Sequence, residues 1–179
     1  MKTKNMINTN LNLSINEPLW ETALPDLEEL GSQVVSLAVN FVNDNEPLDF
    51  FALGKPLTFN LCLSNDDEVH TLNREFRGMD KPTNVLSFAN IDDEDFDNMV
   101  AAEPEIEMGD MIIALETMQR EAELKRISLH DHFCHLLTHS VLHLLGYDHI
   151  EDNDAEHMEN FEIRILNLLN IANPYQDMD

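Results

Sequence analysis

Residues 139–149, HSVLHLLGYDH, carry three histidines at offsets that let their rings meet at one point. His139 and His143 stand one helical turn apart, and an i, i+4 pair lies on one face of an α-helix with one ring above the other. Leu144 and Leu145 close the apolar pattern. Gly146, directly after them, is the residue type that most readily takes a left-handed conformation and ends a helix sharply. The reversal returns His149 toward the pair. The stretch therefore predicts a helix whose last turn and exit loop present three imidazole nitrogens, the ligand number of a catalytic metal site with an open fourth position.

An HxxxH pair alone occurs on many solvated helix faces, so Gly146 and His149 at these offsets are what turn the reading toward metal. The spacing is that of the long metzincin signature with one departure: Ser140 stands where those peptidases carry their general-base glutamate. The expected ion is Zn2+, one per chain, on His139, His143 and His149. Asp148 either orients a ligand imidazole or accepts a proton at the metal, or is a turn residue after glycine. His132 and His135 extend the stripe along nearly the same helical face and are expected to line the cleft or face water. His70 and His157 fall on polar helix faces, and Met158 falls in an apolar stripe of the core.

Outward from this motif, Ser128 and Asp131 have capping-box spacing at the start of the metal helix. Residues 116–126 form a polar helix and 109–115 a strand. From 91 to 107 every charged residue is acidic, which predicts a mobile, solvated loop, and the EF-hand spacing with its central glycine is missing. In 77–88, RGMDKPTNVLSF, a polar loop with Pro82 leads into a short strand through Val85, Leu86 and Phe88. Residues 57–63 alternate strictly as a strand, and 64–67 supply capping chemistry for a helix that turns Val69, Leu72 and Phe76 inward and ends at Gly78. A helix over 26–43, a strand over 9–15 and a last helix over 154–172 complete the chain. Strands alternating with helices, with helices gathered at the C-terminal end, predict an α/β (α+β) fold with a single mixed β-sheet packed against helices.

With 179 residues and 43% hydrophobic content, one domain is expected, with 1–8 and 174–179 as flexible tails. Cys62 and Cys134 lie in apolar segments and read as reduced thiols. No apolar run is long enough to span a bilayer, so the expected location is cytoplasmic, without membrane partners. The net charge of −25 opposes nucleic acid at long range, so a bound polyanion needs a local basic patch. Two clusters offer one: Arg74, Arg77 and Lys81, and Arg120, Lys125 and Arg126.

HSVLHLLGYDH, LNREFRGMDKPTNVLSF (72–88) and GDMIIA (109–114) together resemble the YbeY family of bacterial endoribonucleases, or ribosomal RNA maturation factors. The family patterns are HGxLHLxGYDH, LNxxYRxxDxPTDVLSF and GDI(V/I)I, with Phe76 and Asn84 as mild departures. The similarity covers about residues 57–165, in the family's order. It implies a zincin-like fold, zinc on His139, His143 and His149, and Arg77 as the arginine near the metal and the catalytic candidate. Ser140 replaces a family glycine, so the missing glutamate is a family trait. The implied function is a single-strand-specific, zinc-dependent endoribonuclease in small-subunit ribosomal RNA 3′-end maturation and ribosome quality control. Ribosomal RNA, ribosomal subunits and ribosome-associated proteins are the implied partners. Two other readings stay open: a peptidase-like metal-dependent hydrolase, and a non-catalytic ribosome assembly factor with a structural metal.

Overall fold

The structure, a computed structural model, describes residues 5–176. Strict alternation in 57–63 becomes β2 (Leu57–Ser64), flanked in the sheet by β1 (Thr9–Ile15) and β4 (Ile106–Ala114), with β3 (Val85–Ala89) on the far edge. β1 and β4 run parallel to β2, and β3 runs antiparallel to β4. The sheet is mixed, as the element order predicts. Gly109 in β4 has φ +131°, and a Cβ there would lie 2.0 Å from the Phe88 carbonyl oxygen. Only glycine lets β3 and β4 close at that point. A register shift between Thr58 and Phe59 falls beside it, and beyond the shift Asp110 stands opposite both Asn60 and Phe88.

Seven α-helices accompany the strands among the described residues: α1 (Leu19–Ala23), α2 (Leu27–Asn45), α3 (Asp66–Arg77), α4 (Phe96–Ala102), α5 (Leu115–Lys125), α6 (Leu129–Leu144) and α7 (Asp152–Leu168). Asn65 caps α3 by accepting from the Glu68 N–H, and Ser128 caps α6 by accepting from the Asp131 N–H. The reciprocal half of the expected capping box does not form, because the Asp131 carboxylate pairs with His130 instead. α6 is the central helix. It packs on β3 and β4 and is flanked by α2, α5 and α7, so Phe133, Leu137 and Val141 meet the apolar row of Leu61, Met111 and Ile113 in one core. Burying such side chains stabilises by about 1.5–3 kcal/mol each, and this anchors the helix that carries two of the three histidines. α3 lies on the opposite sheet face over a smaller cluster of Val69, Leu86 and Ala114. Cys134 is buried, which pushes its thiol up to about 12, and Cys62 is half-buried.

Several expectations are corrected. The acidic stretch 91–107 is not a structureless loop: it holds a 3₁₀ turn (Asn90–Asp92), α4 and the start of β4. Phe96 and Val100, four residues apart, form the buried face of α4, a short amphipathic signal hidden by the surrounding charge. Phe76 is 66% exposed rather than inward. The inward position at that end of α3 belongs to Asn73, whose side-chain amide donates to the Lys81 carbonyl while its backbone carbonyl accepts from the Met79 N–H, so it secures the following loop. α1, which buries Trp20, and a 3₁₀ turn (Asp49–Leu53) are additional elements. α7 stops at Leu168, and Asn170 turns the chain with φ +61°. Within the stretches expected as tails, Ile7 is buried and its N–H donates to Asn40, and Tyr175 reaches a buried carboxylate. Residues 1–4 and 177–179 of those stretches lie outside the described residues.

Candidate metal centre

The end of α6 closes as a Schellman turn. The Tyr147 N–H donates to the Leu142 carbonyl and the Gly146 N–H to the His143 carbonyl, each at 3.0 Å, with Gly146 at φ +100°. His149 is thereby delivered to the helical pair. One ligand nitrogen from each of His139, His143 and His149 lies within 4.8 Å of the others, so the triad could hold a metal ion. The Nε2 atoms of His139 and His143 are 3.0 Å apart. Both Nδ1 positions have acceptors, His139 donating to Glu162 at 3.0 Å and His143 to the Tyr147 carbonyl at 2.9 Å. Each ring spends its proton on Nδ1, so two Nε2 lone pairs face each other. That contact is repulsive without a cation between them. Tetrahedral zinc–imidazole bonds of about 2.0–2.1 Å place ligand nitrogens about 3.3 Å apart, which fits the observed spacing. Burial, followed by the neighbouring His139, pushes His143 down to about 4, so its ring stays neutral and able to ligate at pH 7.

The second layer holds a residue that the sequence reading missed. Glu162 on α7 is fully buried and accepts from His139 Nδ1 at 3.0 Å, His135 Nε2 at 3.1 Å and the Tyr175 hydroxyl at 2.9 Å. Burial alone would raise its carboxyl, but the hydrogen bonds from His135 and His139 outweigh it and hold the group at about 2. A carboxylate that grips the outer nitrogen of a ligand histidine fixes its tautomer and raises its basicity. The signal was available: Glu162 interrupts the apolar stripe of Met158, Phe161 and Ile165, where a charge belongs only if it is paired inside.

His132 and His135 do not face water or line the cleft; both are buried. His135 belongs to the Glu162 cluster, while His132 pairs with Glu121 at 2.9 Å. Glu121 also accepts from Asn84, whose own oxygen receives the Val85 N–H, so this chain of bonds ties α6 and α5 to the start of β3. Ser140 is buried too, with its hydroxyl 2.6 Å from that of Ser87 on β3. The position that carries a glutamate in metzincins is thus a helix-to-strand clamp. His70 and His157 are partly exposed and pair with Asp80 and Glu46. Met158 packs in the core.

A cavity of about 690 Å3 opens over the triad, lined by His139, His143, His149, Arg77, Lys81 and Asp148 among others. Arg77 ends α3 with its guanidinium 5.1 Å over the Phe88 ring, and it donates to the Ser87 carbonyl. With five donors on the fork, donors remain for an anion. In the second basic cluster, Arg120 is bonded to Asp66 at 2.8 Å. Asp148 accepts from the Ile150 N–H, the geometry of a turn residue, at the rim of the cleft. Three converging imidazole nitrogens beside exposed cations suit a metal ion together with an anionic group.

The family model described as Endoribonuclease YbeY matches residues 22–170. An "Endoribonuclease YbeY" of Sphingopyxis alaskensis is 50% identical over 118 residues, 65% of this chain and 70% of the relative. One of Paramagnetospirillum magneticum is 41% identical over 88% of this chain and 90% of its own. A solution structure from Thermotoga maritima aligns with 94% of this chain and 97% of its own at 22% identity, with a TM-score of 0.49. Among the described residues no helix is long and apolar enough to cross a membrane.

Proposed function

The chain belongs to the YbeY endoribonuclease family, and from that premise we propose that it is a zinc-dependent hydrolase that cuts single-stranded ribosomal RNA at the His139, His143 and His149 centre. The observation that carries this is the pair of facing Nε2 lone pairs, each fixed by an acceptor on Nδ1, with His149 returned beside them and Arg77 across the cleft. When bound, zinc supplies Lewis-acid polarisation of a phosphoryl oxygen and acidifies a water molecule. The protein's own contribution begins with Glu162, which holds His139 in its ligand tautomer through Nδ1. The Tyr147 carbonyl does the same for His143. Arg77, steadied by Phe88 and the Ser87 carbonyl, holds the phosphate and stabilises charge that develops on its oxygens, and Lys81 adds a second cation at the rim. A peptidase reading is weakened by Ser140, which is buried against Ser87 and leaves no carboxylate in the general-base position. We place the activity in the cytoplasm, in small-subunit RNA 3′-end maturation and ribosome quality control, with ribosomal subunits and their proteins as partners. Motif resemblance supports this assignment.

The test is cleavage of a single-stranded ribosomal RNA fragment by zinc-loaded protein beside a His143→Ala variant and a chelated control. The expected result is zinc-dependent cutting of single strands, little cutting of duplex and none by the variant. Equal cutting by the variant, or none by the zinc-loaded protein with the fragment alone or in ribosomal subunits, overturns the proposal.

A further inference from the structure

The sheet face opposite α6 carries a second cavity, about 390 Å3, that the metal centre does not use. Register builds its floor. Asn12 pairs with Asn60, Asn60 with Asp110, and Asp110 with Phe88, so one row across all four strands presents two amides, a carboxylate and an aromatic ring. Asn60 Oδ1 accepts from Asn12 Nδ2 at 3.0 Å, which leaves the Asn60 amide N–H groups as donors. Asp110 is exposed, and among the described residues no side chain pairs with its carboxylate. One wall is Phe76, 66% exposed, edge to face with Phe88 at 5.9 Å. The opposite face of β3 borders the metal cleft, and Arg77, which lines that cleft, lies over the Phe88 ring. The two cavities therefore meet at the Arg77–Phe88 pair.

We propose that this cavity is a guanine-binding subsite for the RNA strand, in which the base stacks on the exposed Phe76 ring beside Phe88 and its Watson–Crick edge meets Asp110 and Asn60; the inference rests on the RNA-cleaving reading above. Single-stranded RNA is recognised by stacking unpaired bases on aromatic rings and reading their edges. Edge chemistry selects the base. A carboxylate offers only acceptors and matches two adjacent donors, which guanine alone presents on that edge as N1–H and the 2-amino group. Guanine O6 then takes the Asn60 N–H. Adenine and cytosine each bring a single amino group next to a ring acceptor, and uracil brings one N–H between two carbonyls. A nucleotide seated here passes its phosphate by Arg77, so the subsite would set which nucleotide lies beside the cut. The large exposed Phe76 side chain and the unpaired Asp110, neither of which the fold requires, acquire a common use.

The experiment titrates the four nucleoside 5′-monophosphates into zinc-loaded full-length protein by calorimetry, and repeats this with Asp110→Asn and Phe76→Ala. Phosphate contacts are common to all four probes, so affinity differences report the base. Guanosine monophosphate should bind about tenfold or more tighter than the others, and both variants should lose that margin while melting like the parent. Equal affinity for the four, a preference for another base, or a guanine preference unchanged by Asp110→Asn overturns the subsite. In RNA, replacing guanosine by inosine, which lacks the 2-amino group, should raise KM. Cleavage indifferent to guanine removes the subsite and leaves the endonuclease standing; guanine-selective binding without cleavage of any RNA does the reverse.

Discussion

Replacing Glu162 by glutamine keeps the side chain's shape and removes its charge, so it isolates what the buried carboxylate does for the metal centre. Glu162 accepts from two imidazoles and one phenol with no solvent exposure. A glutamine oxygen can still accept from the imidazoles, and the Tyr175 hydroxyl can rotate to accept from the new amide, so the number of bonds survives. Their strength does not: a hydrogen bond to a charged acceptor contributes about 1.5–3 kcal/mol against about 1 kcal/mol for a neutral one. The His139 bond strengthens further when that ring is a ligand, so zinc affinity should fall about 10–100-fold, or about 1.4–2.8 kcal/mol. Competition with a chromogenic chelator at pH 7 reads this directly. Metal-free protein offers a second readout. The folded Glu162 carboxyl lies at about 2 against an ordinary 4.5, because the bonds from His135 and His139 outweigh its burial. A depressed carboxyl contributes stability that is fully present above its unfolded value and is lost as pH falls through its folded value. Wild type should therefore lose about 3 kcal/mol between pH 4.5 and about 2 from this group, and Glu162→Gln should be flatter across that window. Zinc affinity within twofold of wild type, together with a lowered melting temperature, would refute the positioning role and leave Glu162 a purely structural charge.

His143→Ala should remove zinc from purified protein by elemental analysis, and wild-type metal content in that variant would mean the ion sits elsewhere. Arg77→Ala should lower cleavage about 100-fold or more and melting by only about 2–4 °C, since the lost stack on Phe88 and carbonyl bond lie at the exposed end of α3; an active but strongly destabilised variant would assign Arg77 to the fold, and Arg77→Lys should rescue poorly. Gly146→Ala forces an L-residue to φ +100° and should cost about 1–2 kcal/mol in urea unfolding while weakening zinc binding through a displaced His149; unchanged stability and affinity would show that the turn tolerates a side chain. RNA binding should weaken with salt only moderately, with a log–log slope of about −2 to −4, because a net charge of −25 surrounds a small basic footing; a slope near −10 would reveal a larger cationic surface.

Sequence alone determined what depends on short spacing. The i, i+4 histidine pair, the glycine that ends its helix and the third histidine three residues later are local, so helical geometry and one positive φ suffice to predict their meeting. The strands over 57–63 and 9–15 were equally legible, since alternation needs only a sheet with one apolar side. What lay beyond reach was pairing across the chain. Glu162 is read as a fault in an apolar stripe until α7 is laid beside α6 and its carboxylate meets His135 and His139. His132 and His135 looked like cleft residues because a helix face shows periodicity but not the carboxylate that waits opposite it. Phe76 looked like core because its spacing from Val69 and Leu72 ignores the competing claim of Asn73 on the inward position. Likewise the row of Asn60, Asp110 and Phe88 exists only through the register of three strands, and one residue of slip would turn each side chain to the other face.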